Sequence, residues 1–174
     1  MHRRALMRGA LGVAGTSLFG TFAKADVAPR TLALLNLHTG ESLKAPYFEA
    51  GRYLPDALAA MNRVLRDHRT GEAHPMAPGL LDLVTTLSRT FGTSQSVQVI
   101  SGYRSPKSNA ALHKASNGVA TRSLHMEGEA MDIRIPGVEL ANLRDAALRL
   151  QRGGVGFYPA SDFVHVDVGR VRRW

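Results

Sequence analysis

The stretch Ser123-Leu-His-Met-Glu-Gly-Glu-Ala-Met-Asp132 is answered further along the chain by Asp162-Phe-Val-His-Val-Asp167. Together they offer two imidazoles and a carboxylate, His125, Asp132 and His165, a donor set able to close on one divalent metal. The six residues between His125 and Asp132 suit a loop that returns into a strand. Gly128 lets that loop turn, and Ala130 keeps the approach uncrowded. His165 sits inside an apolar run, Phe-Val-His-Val, expected to be a strand. Asp167 lies two residues on and therefore shares its face, where it is expected to orient a ligand from behind. Met126 and Met131 read as core filler.

Working outward, residues 131–135 alternate as a strand and Pro136-Gly137 turns the chain. Leu140, Leu143, Ala146, Ala147 and Leu150 mark a long helix, stopped by Gly153-Gly154. Two further strands follow, at 155–158 and 163–168. On the other side, residues 97–100 form a short buried strand that delivers Ser101-Gly-Tyr-Arg-Ser-Pro106 to a strand end, where side chains can reach a cleft. Residues 107–122 read as a helical turn and then a loop. Before them, Pro55 and Pro78 open two helices of regular apolar spacing. Residues 31–36 and 43–48 pair as a hairpin about His38-Thr-Gly-Glu41. The order predicts an α+β fold: one domain, residues 26–174, with a central antiparallel sheet packed by helices.

Composition narrows the chemistry. The chain of 174 residues has no cysteine, which excludes disulfides and thiolate ligands. Its net charge is +8, and residues 1–25 contribute four basic residues and no acid. Basic residues are scattered apart from Arg170-Val-Arg-Arg173, and aromatics are 6%, so nucleic acid is not an expected partner. The pair Arg3-Arg4, an apolar stretch to about Phe22 and Ala23-Lys-Ala25 predict a twin-arginine signal peptide over 1–25, with delivery to the periplasm; an ordinary secretory leader, or an uncleaved one acting as an anchor, is the alternative. That stretch is too short for a comfortable membrane span, so none is expected after cleavage. A monomer is expected.

A metal hydrolase also needs a base and a cation near the developing oxyanion. Asp162, three residues before His165, is the candidate base, with Glu127 and Asp167 behind it. A capping role in the Pro159–Asp162 bend is the competing reading of Asp162. Arg104 is the candidate cation, its alternative a surface arginine in a turn. Tyr103 and Ser123 are candidate substrate hydrogen-bond donors, with packing the alternative for Tyr103. His38, His68, His74 and His113 read as solvated or structural.

The combination Ser123-x-His125-x-x-Gly128-x-Ala130-x-Asp132 with Asp162-x-x-His165 resembles the zinc D-Ala-D-Ala metallopeptidases of the hedgehog/D,D-peptidase fold. Leu35-Asn-Leu-His-Thr-Gly-Glu41, Arg66-Asp-His-Arg-Thr-Gly-Glu72, Ser101-Gly-Tyr-Arg-Ser-Pro106 and Gly153-Gly-Val-Gly-Phe-Tyr158 resemble the exported YcbK-like murein endopeptidase branch. The resemblance implies zinc on His125, Asp132 and His165, a carboxylate base at Asp162, and peptidoglycan peptide stems as partner. It implies hydrolysis of peptide cross-links. A D,D- or L,D-carboxypeptidase of the same fold, or a non-catalytic wall-peptide-binding domain, is the alternative.

Overall fold

Alternation makes the first hairpin: Leu32 and Leu34 of β1 (Arg30–Asn36) point inward and are fully buried. β1 pairs antiparallel with β2 (Ser42–Glu49), which is followed by the short β3 (Arg52–Tyr53). The computed structural model describes residues 28–115 and 120–174. The expected signal peptide, 1–25, lies outside the described residues. Among them no helix is long and apolar enough to cross a membrane.

Pro55 and Pro78 each stand in the first turn of a helix, α1 (Pro55–Val64) and α2 (Pro78–Thr90), where a missing N–H costs nothing. Leu80, Leu81, Leu83, Val84 and Leu87 form the buried face of α2. β4 (Val97–Ser101), α3 (Pro106–Ala115), β5 (Ala130–Arg134), α4 (Leu140–Leu150), β6 (Gly154–Tyr158), β7 (Phe163–Asp167) and β8 (Arg172–Arg173) complete the order. The strands make one eight-stranded sheet, β3-β2-β1-β4-β5-β7-β6-β8.

This is the α+β architecture read from the sequence, with helices on a central sheet, but the sheet is mixed rather than antiparallel. β1 pairs parallel with β4, and β6 parallel with β8. The reason is connection length. The segment carrying α1 and α2 is long enough for a crossover, so the chain enters β4 in the direction it entered β1. Segments of two residues, β3 and β8, are too short to show a hydrophobic period. α3 is a helix of 10 residues where a single turn was expected.

Met131 and Ile133 of β5 join the core, which α2 and α4 help to cover. Ala130, Asp132 and Arg134 emerge on the opposite face, since successive side chains alternate. That face near Asp132 is roofed by a 3-10 turn, Leu124–Glu127, so Asp132 is buried as well. The sheet core therefore doubles as the foundation of the site. Truncating Leu81 to Ala is expected to destabilise the chain by about 2–5 kcal/mol through cavity formation. Urea unfolding measures this, and a change near zero would mean the α2 face is not part of the core.

Candidate metal and catalytic centre

Antiparallel pairing of β5 with β7 sets Asp132 directly opposite His165. The 3-10 turn then lowers His125 onto the pair. Gly128 ends that turn with φ 68°, and a Cβ there would meet the Pro75 carbonyl oxygen at 2.2 Å, so only glycine fits. His125 Nε2 lies 3.3 Å from Asp132 Oδ1 and 3.2 Å from His165 Nδ1, and His165 Nδ1 lies 2.9 Å from Asp132 Oδ1. The three side chains are all buried.

Their outer partners fix which nitrogens carry hydrogen. His125 Nδ1–H donates to the Gly102 carbonyl at 2.7 Å, because a carbonyl can only accept. This leaves the Nε2 lone pair aimed inward. His165 Nε2–H donates to Asp167 Oδ2 at 3.1 Å, leaving Nδ1 inward. Two imidazole lone pairs and a carboxylate oxygen thus converge with no hydrogen among them. Such a cluster repels itself unless a proton or a cation sits at its centre, and a donor set of two imidazole nitrogens and a carboxylate oxygen suits zinc. With a proton in the cluster, burial pushes the Asp132 carboxyl up, but the charge and hydrogen bonds of protonated His125 and His165 outweigh it and hold it well below the usual carboxylate range.

Asp167 holds its place through a full set of bonds. It accepts from the Gly154 N–H at 2.8 Å, the Gly169 N–H at 2.9 Å and Arg172 Nη2 at 2.7 Å. Burial raises its carboxyl, but His165, Arg172 and those two backbone N–H groups keep it ionised well below its ordinary value. It stands behind His165 Nε2 at 3.1 Å.

Arg104 comes from the loop after β4. Its Nη2 lies 3.7 Å from Asp132 Oδ2, and its Nη1 donates to Asn109 Oδ1 of α3 at 3.4 Å. Its Nε is buried with no hydrogen-bond partner among the described residues. The guanidinium is thus a half-satisfied cation facing the cluster. Asp67 anchors the same loop by accepting from the Ser105 N–H at 2.8 Å. Burial pushes the Asp67 carboxyl up, but Ser108, Ser105 and the N–H groups of Ser105 and Arg69 hold it well below the usual range.

The cluster floors a cavity of about 360 Å³ that Arg104, Ser123, Tyr158, Phe163 and Trp174 help to wall. Ser123 is therefore brought to the site. Tyr103 is not on its wall: the ring is buried and stacked on His74, with centroids 4.8 Å apart. Asp162 also stands off the cavity wall. It has left-handed backbone, φ 54°, a side chain 62% exposed, and an ion pair with Arg134. Arg134 follows Asp132 by two residues on β5, so this pair lies on the site's own face about 7 Å along the strand. Glu127 is exposed at the end of the 3-10 turn, away from the cavity wall.

Residues that the sequence did not single out include Asn109, Arg172 and Trp174. Arg172 belongs to the basic cluster at 170–173, whose spacing says nothing of Asp167. Asn109 also donates to the Ala120 and Thr121 carbonyls, at 3.1 and 3.3 Å, tying α3 to the far wall.

The family model for peptidoglycan L,D-endopeptidase MepK matches residues 24–174. The chain is 48% identical over 146 residues to the peptidoglycan L,D-endopeptidase MepK of Escherichia coli (strain K12), covering 84% of this chain and 80% of that one. It is 40% identical over 147 residues to the probable peptidoglycan L,D-endopeptidase MepK of Haemophilus influenzae, covering 84% and 79%.

His125→Ala is expected to weaken zinc binding by more than about 100-fold, beyond the upper end of outer-shell effects, with the fold retained. Calorimetric titration with zinc alone and circular dichroism check this. Unaltered affinity would remove His125 from the ligand set. Because the Asp67 carboxyl is depressed in the folded chain, its stabilisation is present above the unfolded value near 4 and fades as pH falls through the folded value. Asp67→Asn should cost about 1–3 kcal/mol at pH 7, and its deficit against the parent should shrink towards pH 3 in urea melts. A deficit independent of pH would contradict the assignment.

Proposed function

The chain belongs to the peptidoglycan L,D-endopeptidase MepK family, and from that membership we propose that it is a zinc-dependent murein endopeptidase that hydrolyses peptide cross-links of peptidoglycan. The observation that carries the reading is the inward convergence of His125 Nε2, Asp132 Oδ1 and His165 Nδ1, 3.3 Å or less apart, beside the Arg104 guanidinium.

His125, Asp132 and His165 would hold zinc. When bound, the ion supplies Lewis-acid polarisation of a peptide carbonyl and acidifies water. The chain's own groups do the rest. Asp167 and the Gly102 carbonyl hold the two imidazoles in the tautomers that keep their lone pairs inward. Arg104 lines the cavity beside Asp132, placed to stabilise negative charge on a carbonyl oxygen or to pair with a substrate carboxylate. Ser123 offers a hydroxyl to the substrate backbone. Tyr103 would act on substrate only by leaving its stack on His74.

Asp162 is the proposed proton acceptor. Its position on the site's face and its exposed side chain support this, and the carboxylate must leave Arg134 to reach the cavity. That opening is inexpensive, since exposed ion pairs are worth about 0–1 kcal/mol. Peptidoglycan lies outside the cytoplasmic membrane, so this reading puts the chain's work there, with residues 1–25 serving as a twin-arginine leader and the enzyme acting as a monomer.

The test is incubation of the zinc-supplied chain with cross-linked muropeptides and mass spectrometry of the products. Dimers should split to monomers only with metal and His125 present. Loss of a terminal D-alanine would make it a carboxypeptidase, and intact dimers with zinc bound would leave a wall-peptide-binding domain. Asp162→Asn should lower kcat by about 100-fold or more if it is the general base. Unchanged turnover would assign the proton to another group.

A further inference from the structure

Trp174 is the chain's sole tryptophan, and half of it is exposed to solvent. An indole left in water is held in place by its contacts, and here they are many. Its backbone N–H donates to the Val155 carbonyl at 3.2 Å, and its carbonyl accepts from the Phe157 N–H at 3.1 Å. Its Nε1–H donates to the Tyr158 hydroxyl at 2.6 Å, and the Arg172 guanidinium lies 4.9 Å from the ring centroid. The ring lies over Gly156, where a Cβ would come within 2.7 Å of Cε2. Gly156 is the cross-strand partner of His165, so the indole sits beside the metal cluster, with ring centroids 5.2 Å apart.

The indole is also a shared wall. Trp174 lines the site cavity and also a second cavity of about 430 Å³, whose other lining residues are Arg144, Asp145, Leu148, Val155 and Arg173. Arg144 is paired with Asp145 at 2.7 Å, and the Arg173 guanidinium lines the same cavity. A pocket that sets arginines beside the apolar Leu148 and Val155 suits a peptide arm carrying a carboxylate.

We propose that Trp174 is the saddle over which one arm of a cross-linked substrate passes, from the site cavity into this second cavity, where Arg173 takes a carboxylate of that arm. This rests on the peptidoglycan reading and adds to it the recognition of the second stem peptide. A flat, prefixed aromatic surface binds with little entropy to lose.

Because Trp174 is the sole indole, its emission reports the saddle directly. The full chain, kept metal-free with chelator so that nothing turns over, is titrated with a cross-linked muropeptide dimer and with the same dimer amidated at its stem carboxylates. A saturable emission change is expected with the first. Its dissociation constant should rise about 10-fold or more with Arg173→Glu or with amidation, the loss of one charge-assisted contact. Arg173→Gln should show a smaller rise in the same direction, and circular dichroism confirms the fold of each variant. No emission change, or a dissociation constant indifferent to both Arg173 variants and to amidation, overturns the proposal. Binding of this kind by a chain that never cleaves when loaded with zinc would remove the peptidase reading and keep this one.

Discussion

Asp132 and His165 face each other across two antiparallel strands, and nearly everything else in the site serves that pair. A carboxylate and an imidazole lone pair 2.9 Å apart are stable only if something positive joins them. The strands cannot separate to relieve the repulsion, because Met131, Ile133, Val164 and Val166 on the reverse face are locked in the core. The fold thus holds together donor side chains that would otherwise part.

Two supports keep His125, Arg104 and His165 in register. The first is the loop after β4, where Asp67 accepts from Ser105 and the Gly102 carbonyl accepts from His125. The second is the segment after β7, where Arg172 and two backbone N–H groups hold Asp167 behind His165. Both supports are buried charges satisfied by hydrogen bonds, an arrangement that costs little once complete and much when one partner is removed. Positioning in this molecule is therefore electrostatic as much as steric.

Much of the fold was legible because local rules agree with the final packing. Pro55 and Pro78 opened their helices, the leucines of α2 lie on one face, and the strand carrying His165 stands where its apolar neighbours put it. The parallel pairings were not legible, because direction depends on the crossover between strands and not on residues within them. The grouping of His125, Asp132 and His165 was legible from donor type, and the alternation along the strand gave Asp167 and His165 one face. Tyr103 was not, because a tyrosine beside a cleft and one stacked on His74 look alike in sequence.

By itself, the sequence determined the donor chemistry, the glycine at 128 and the periodicities that make the elements. These depend on residues close together along the chain. Only tertiary structure decided that Asp162 meets Arg134, that Arg172 clasps Asp167 and that Trp174 divides two cavities. The first and last join segments far apart in the chain, brought together by sheet register and a shared core, and the second closes a five-residue turn after β7. Long-range side-chain pairs carry no local signature, because the free energy that brings them together belongs to the packing of the whole domain.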